Sequence, residues 1–166
     1  MNPIYLLKNL GLLKDNKTVL DVGARDGIIS AQFVELGMRV DAIDVHTPSS
    51  EMKGVNFEKI SVQDFLVKND KSYDIVIARH VMHLLDNPKK VIEDLNNISG
   101  VFLFTCFGPK DDWAGKVNVL SHDEVLSMFK SESVRHHSEA FQYATTYTGD
   151  VKYWHINTFV IDNRTC

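Results

Sequence analysis

A chain of 166 residues, 44% of them hydrophobic and 24% charged, suits one domain that buries roughly 70% of its unfolded surface and is too short for two of ordinary size. Eighteen Lys and Arg against 22 Asp and Glu give a net charge of −4, so nucleic acid is not indicated as a partner. The two cysteines, Cys106 and Cys166, form no C-x-x-C, which argues against a disulfide framework or a zinc finger, and no apolar run approaches the ~20 residues of a membrane span or forms a signal peptide. The expectation is a cytoplasmic protein.

Apolar residues at Ile4, Leu6, Leu7, Leu10 and Leu13, with Pro3 suited to a first turn, predict a helix over residues 3–13. The β-rich run 18–22 predicts a first strand that ends at Gly23 and feeds a helix with apolar positions Ile29, Phe33 and Leu36, closed by Gly37. Further strands are expected over 39–45, 57–62 and 73–78, joined by connections of about a helical turn. Asn87-Pro88 opens a helix with the face Val91, Ile92, Leu95 and Ile98, closed by Gly100, and a fifth strand follows over 101–105. Ser121 and Glu124 have the spacing of a capping box, which predicts a helix to about residue 130. Two β-like stretches, 134–141 and 153–161, flank Gly149-Asp150 and predict a terminal hairpin. Alternating strands and helices imply a mostly parallel sheet covered on both faces, with an antiparallel pair at one edge. Such sheets take ligands at the carboxyl ends of the strands, where the strand order reverses.

The segment V-L-D-V-G-A-R-D-G, residues 19–27, puts Gly23 and Gly27 on either side of a tight strand-to-helix turn, where a ligand can approach the main chain closely. Asp44 ends the second strand 21 residues after Gly23, the place of an acid that hydrogen-bonds ribose hydroxyls. Asp64 lies just past the third strand and adds a third acid to the rim. A phosphate-bearing dinucleotide would meet Asp26 at the helix N-terminus and an acidic rim of Asp21, Asp44 and Asp64, and no G-K-[ST] follows the glycines. S-adenosylmethionine, a sulfonium without phosphate, suits such a rim better.

These residues resemble the first motif of the class I S-adenosylmethionine-dependent methyltransferases, with Arg25 where the family usually has its middle glycine. V-D-A-I-D-V resembles the segment bearing the ribose-binding acid, here Asp44 followed by Val45. S-V-Q-D-F-L, with Asp64 and Phe65, resembles the adenine-binding segment, and Y-D-I-V-I-A-R-H-V-M-H-L-L resembles the fourth-strand motif, whose end contacts the methionine part near Arg79. The matches keep family order from residue 19 to about 162. F-G-P-K-D-D-W-A, S-H-D-E-V-L-S-M-F and T-G-D-V-K-Y-W-H-I are similar in outline to the small tellurite-resistance-type members. The resemblance implies an α/β, Rossmann-like, doubly wound fold: a seven-stranded, mostly parallel sheet with a C-terminal antiparallel hairpin and helices on both faces. It implies a single domain over 1–166, with an N-terminal helix in 1–15 and the Rossmann-like core in 17–166. It further implies a methyltransferase that uses S-adenosylmethionine and releases S-adenosylhomocysteine, with cofactor contacts from Asp21, Gly23, Ala24, Arg25, Gly27, Asp44, Val45, Asp64, Phe65 and Arg79.

Methyl transfer needs alignment of donor and acceptor more than a dedicated base. If the acceptor loses a proton, His83 is the candidate base, and its other reading is a histidine capping the turn after the fourth strand. No metal site is expected, since His80 and His83 lack a third ligand at recognisable spacing. Trp113 and His155 are the candidate substrate contacts. Trp154 and His155 point to opposite faces of the last strand, one toward the core and one toward the site. Cys106 reads as a small buried residue. The connections leave no room for a self-contained lid, so a large acceptor, an open site and a second copy covering it in a homodimer all stay open. The rival readings are a non-catalytic S-adenosylmethionine-binding partner or regulatory subunit and a nicotinamide-dependent oxidoreductase.

Overall fold

A computed structural model describes residues 2–14, 18–108, 118–145, 149 and 151–165. Seven strands form one sheet in the order β3-β2-β1-β4-β5-β7-β6. They are β1 (Thr18–Val22), β2 (Arg39–Asp44), β3 (Val55–Lys59), β4 (Tyr73–Ala78), β5 (Ser99–Phe107), β6 (Val134–Thr145) and β7 (Val151–Asp162). The five from β3 to β5 are parallel, and β7 and β6 close the sheet as an antiparallel hairpin. The chain steps outward from β1 to β3 and returns through β4, so the strand order reverses between β1 and β4, and their carboxyl ends bound a crevice.

Side-chain alternation along the strands divides the core in two. Val19, Ile75, Ile77, Val101 and Leu103 pack on one face with α1 (Pro3–Asn9) and α2 (Ile28–Glu35), through Leu6, Leu7 and Phe33. Leu20, Val76, Phe102, Phe104 and Phe159 pack on the other with α3 (Val62–Lys68), α4 (Pro88–Asn97) and α5 (His122–Leu126). Each fully buried Leu, Ile or Phe contributes about 1.5–3 kcal/mol. The helix starts follow local chemistry: Asn2, Ser61, Asn87 and Ser121 each cap a first turn with a side-chain oxygen, and Ser121 and Glu124 complete the capping box.

Several expected boundaries move. The third strand runs over Val55–Lys59, because Ser61 caps a helix that takes Asp64 and Phe65 into its first two turns. Gly100 lies within β5, and α4 ends at Asn97. α5 stops at Leu126, short of residue 130, and α1 stops at Asn9, before Gly11 at φ +70°. The hairpin strands are longer than their apolar runs, and β7 residues 151–154 pair with β6 alone, since β5 ends opposite Ile156 and the Gly108 N–H beyond it donates to the His155 carbonyl at 2.8 Å. A two-stranded ribbon therefore extends past the sheet. At the opposite end of β7, Asp162 is buried and binds both Arg135 and Arg164.

Candidate functional site

The turn after β1 has left-handed backbone at Gly23 (φ +75°), Arg25 (φ 50°) and Gly27 (φ +72°). An L-residue in that region costs roughly 1–2 kcal/mol, and at Arg25 the cost is offset by a charge-assisted hydrogen bond of its N–H to Asp44 Oδ2 at 2.9 Å. The replacement of the middle glycine thus leaves the left-handed turn in place. Asp44 is 7% exposed, and its second oxygen accepts from the His46 N–H at 2.8 Å. The Gly23 and Ala24 N–H groups both donate to Ile43 O, at 2.8 and 3.2 Å, which extends the β1–β2 pairing into the loop.

The β2–β3 connection folds over this turn. Asp26 Oδ1 accepts from the Ser49 N–H and hydroxyl at 3.0 and 2.8 Å, and a Cβ at Gly27 would lie 2.5 Å from Met52 Sδ. A Cβ at Gly23 would lie 2.2 Å from Val81 Cγ2, so the segment after β4 rests directly on the glycine backbone. Close approach therefore requires glycine at 23 as much as its φ does.

Asp21 is buried on the α2 face, where the Ser30 hydroxyl donates to it at 2.6 Å. Burial raises its pKa to about 6, against the lowering effects of Ser30 and of Arg79 nearby. Val45 is exposed beside Asp44. Asp64, also exposed, accepts from the Ser61 hydroxyl at 2.6 Å, and the Phe65 ring is buried in the core under α3.

On the α1 face, across the carboxyl ends of β4 and β5, lies a cleft of about 270 Å3. Its polar lining includes Arg79, His80, Thr105 and Trp154, and its apolar floor includes Leu103 and Ile156. His80 has left-handed backbone (φ 55°) and is pinned by its N–H to Thr105 Oγ1 at 2.9 Å. Burial, reinforced by Arg79, pushes its pKa down to about 4, so the imidazole is neutral at pH 7. His80 Nδ1 and Trp154 Nε1 are both buried without a hydrogen-bond partner among the described residues.

The remaining candidates are distributed as follows. His83 lies in a 3₁₀ turn, Met82–Leu84, with its ring stacked on Phe107 at 4.0 Å and its carbonyl accepting from the Asn118 N–H at 3.0 Å, and it is not in the cleft lining. His155 is 2% exposed on the opposite face of the hairpin, stacked on Phe141 at 4.5 Å with Nε2 3.0 Å from Glu139 Oε1. A Cβ at Gly108 would lie 2.2 Å from that ring, so the backbone covers it. Strand alternation separates the pair as expected, and it is Trp154 that reaches the cleft while His155 goes inside. Trp113 lies outside the described residues. Cys106 is buried, with its thiol pKa pushed up to about 12 by burial. His80, first noticed only as half of a histidine pair, and Thr105 were not legible as cleft residues. The signal for Thr105 was its place two residues before the end of β5.

No helix among the described residues is long and apolar enough to cross a membrane. A family model described as a methyltransferase domain matches residues 4–148. A ubiquinone biosynthesis O-methyltransferase of Hydrogenovibrio crunogenus is 32% identical over 88 residues, covering 47% of this chain and 36% of that protein. The matched segments thus span about a third to a half of the length of such curated relatives. Among solved structures, TehB from Haemophilus influenzae superposes with a TM-score of 0.73 at 15% identity, covering 96% of this chain and 60% of that one. The Burkholderia thailandensis 1,6-didemethyltoxoflavin-N1-methyltransferase, solved with bound 1,6-didemethyltoxoflavin and S-adenosylhomocysteine, gives 0.61 at 19% identity, covering 96% of this chain and 76% of that one. These two likenesses establish the seven-stranded Rossmann-like fold.

Proposed function

The chain belongs to the methyltransferase domain family, and from that premise we propose that it transfers a methyl group from S-adenosylmethionine, bound along the glycine loop, to an acceptor held in the cleft beside Arg79. The observation that carries this reading is the left-handed loop at Gly23, Arg25 and Gly27, braced by Asp44 at the switch point and adjoining a cleft whose ring nitrogens lack partners.

The residues fit the cofactor chemically. Asp21, Asp26, Asp44 and Asp64 make a carboxylate-rich rim that favours a cationic nucleoside and opposes a pyrophosphate. Each Asp44 oxygen accepts one backbone N–H and keeps a lone pair for a ribose hydroxyl. Backbone of Gly23, Ala24, Arg25 and Gly27 forms the cradle. Val45 supplies an exposed apolar surface for the adenine, with Asp64 at its edge. Phe65, being buried, supports that wall from beneath. Arg79 lines the cleft and feels the charge of Asp21, at the place where the methionine part and the acceptor would meet. When bound, the cofactor supplies an activated methyl group; the protein's part is to align the acceptor and exclude water. Residues 1–166 serve as one unit in this reading, with Pro3 and Leu6 of the N-terminal helix forming a wall of the cleft.

Calorimetric titration with S-adenosylmethionine, S-adenosylhomocysteine and NAD tests the assignment. Binding of the first two and none of NAD is expected, and a preference for NAD would overturn it. The reading as a non-catalytic binding subunit draws on Arg25 in the glycine motif, and labelled S-adenosylmethionine with a panel of acceptors separates it from an enzyme.

A further inference from the structure

Resting on that reading, we propose that the acceptor is a small organic acid, an apolar body bearing one ionised carboxylate, and that Arg79 and Trp154 in the cleft recognise it and set this specificity. The cleft, at about 270 Å3, has room for a small molecule. Its described lining holds one full positive charge, on Arg79, and no carboxylate, although the chain as a whole has a net charge of −4. Arg79 feels the charge of Asp21, whose carboxylate is itself engaged by Ser30.

Three features call for an oxygen anion. The Arg79 guanidinium has N–H donors in a fork that matches a carboxylate. Trp154 Nε1 is a donor only, buried and without a partner among the described residues, so a ligand acceptor atom would relieve an unpaired group. The Thr158 hydroxyl adds an adaptable donor on the same lining, where the Ser138 hydroxyl is paired with His136 Nε2 at 3.1 Å, while Leu103 and Ile156 offer the acid's body an apolar floor.

The same lining also speaks to reactivity. It contains no carboxylate to serve as a base, and burial with Arg79 disfavours the imidazolium of His80, which makes that ring a weak proton acceptor. This lining suits a nucleophile that needs no proton removed, and a carboxylate at neutral pH is one. In the transfer the carboxylate oxygen forms a bond to the methyl carbon as the carbon–sulfur bond breaks, and the bonding pair returns to sulfur. An anion and a sulfonium become a neutral ester group and a neutral thioether, with no proton to remove.

The test uses the full chain saturated with S-adenosylhomocysteine, titrated with phenylacetate and hexanoate and, in parallel, with phenylacetamide and hexanamide. The indole N–H resonance of Trp154, identified by its loss in Trp154→Phe, is followed by ¹H–¹⁵N NMR. The acids are expected to shift it and to bind at least tenfold more tightly than their amides. Trp154→Phe should weaken acid binding about fivefold while S-adenosylhomocysteine affinity stays within twofold. Arg79→Gln should collapse the acid-to-amide ratio toward one, which keeps the test decisive if the Phe variant fails to fold. With labelled S-adenosylmethionine, label transferred to the acids should be released by mild base, as methyl esters require. Amides binding as well as acids, or a protein that binds S-adenosylhomocysteine but neither acid at millimolar concentration, would overturn the proposal. Failure to bind S-adenosylhomocysteine would instead remove the cofactor reading, and the acid and amide titrations repeated without it would still judge the cleft.

Discussion

At the glycine loop the polar side chains are already occupied: Asp44 accepts from Arg25 and His46, Asp26 from Ser49, and Asp21 from Ser30. Across the switch point, in the cleft, Trp154 Nε1 and His80 Nδ1 have no partner among the described residues. The first region spends its hydrogen bonds on holding a strained turn in shape, so its ligand meets a preformed surface. The second holds its shape through β4, β5 and β7 and leaves donors idle, the arrangement expected where the ligand itself completes the polar network. In the proposed reading, pre-organisation and idle hydrogen-bonding groups mark two different subsites on one sheet edge.

The sharpest way to break this contrast is at Gly23. Gly23→Ala adds a Cβ at φ +75° and 2.2 Å from Val81 Cγ2, and is expected to cost about 2–4 kcal/mol from left-handed strain and overpacking together. Denaturant unfolding should show that loss, and Val81→Ala in the same chain should restore the overpacking part only. A Gly23→Ala variant as stable as the parent would mean that the loop is not under the constraint described. Asp44→Ala comes next. It is expected to weaken S-adenosylmethionine binding by about 1.5–3 kcal/mol and also to lower stability by about 1–3 kcal/mol, because the Arg25 and His46 N–H groups lose their acceptor. Calorimetry and unfolding on the same sample read both effects.

The buried acid behind the loop gives a pH signature. Burial raises the folded-state pKa of Asp21 to about 6 from 3.8, so between those values the folded chain keeps a proton that the unfolded chain has released. Its contribution is therefore full below about pH 4 and falls as pH rises to about 6, by on the order of 3 kcal/mol. Asp21→Asn should flatten that stretch of the stability profile in urea titrations taken across the range, and an unchanged slope would assign it to other groups. The smallest effect is expected on the cleft side, where Thr105→Val removes the acceptor for the His80 N–H. A loss of about 1 kcal/mol is expected, with binding of S-adenosylhomocysteine intact. A comparable fall in its affinity would show that the two subsites are not separable.

Much of the architecture was readable because it rests on short-range signals. The strand 18–22, the Ser121 capping box and the Pro88 helix start each depend on residues within one or two turns, and each is found where expected. The third strand was expected to reach Val62 because a β-branched residue favours strand over helix, and it is the Ser61 cap that overrides this preference. At the site, Asp44 and the glycine turn were visible in the spacing of the chain. The cleft was not, since it is assembled from α1, β4, β5, β6 and β7, and no local pattern tells which of Trp154 and His155 faces inward. That choice is made by the register of β7 against β5, a long-range property. His80 escaped notice for a related reason: a left-handed histidine is imposed by what holds its N–H, here a threonine 25 residues away.

The ribbon formed where β6 and β7 run beyond β5 has a consequence for how the molecule opens. Its cross-strand pairs, Phe141 with His155 and Tyr143 with Tyr153, hold it without a third strand, whereas its root is tied at both margins. The amides of 151–153 should therefore trade hydrogen for deuterium well before those of 158–161, so that the hairpin unzips toward Trp154 and stops there.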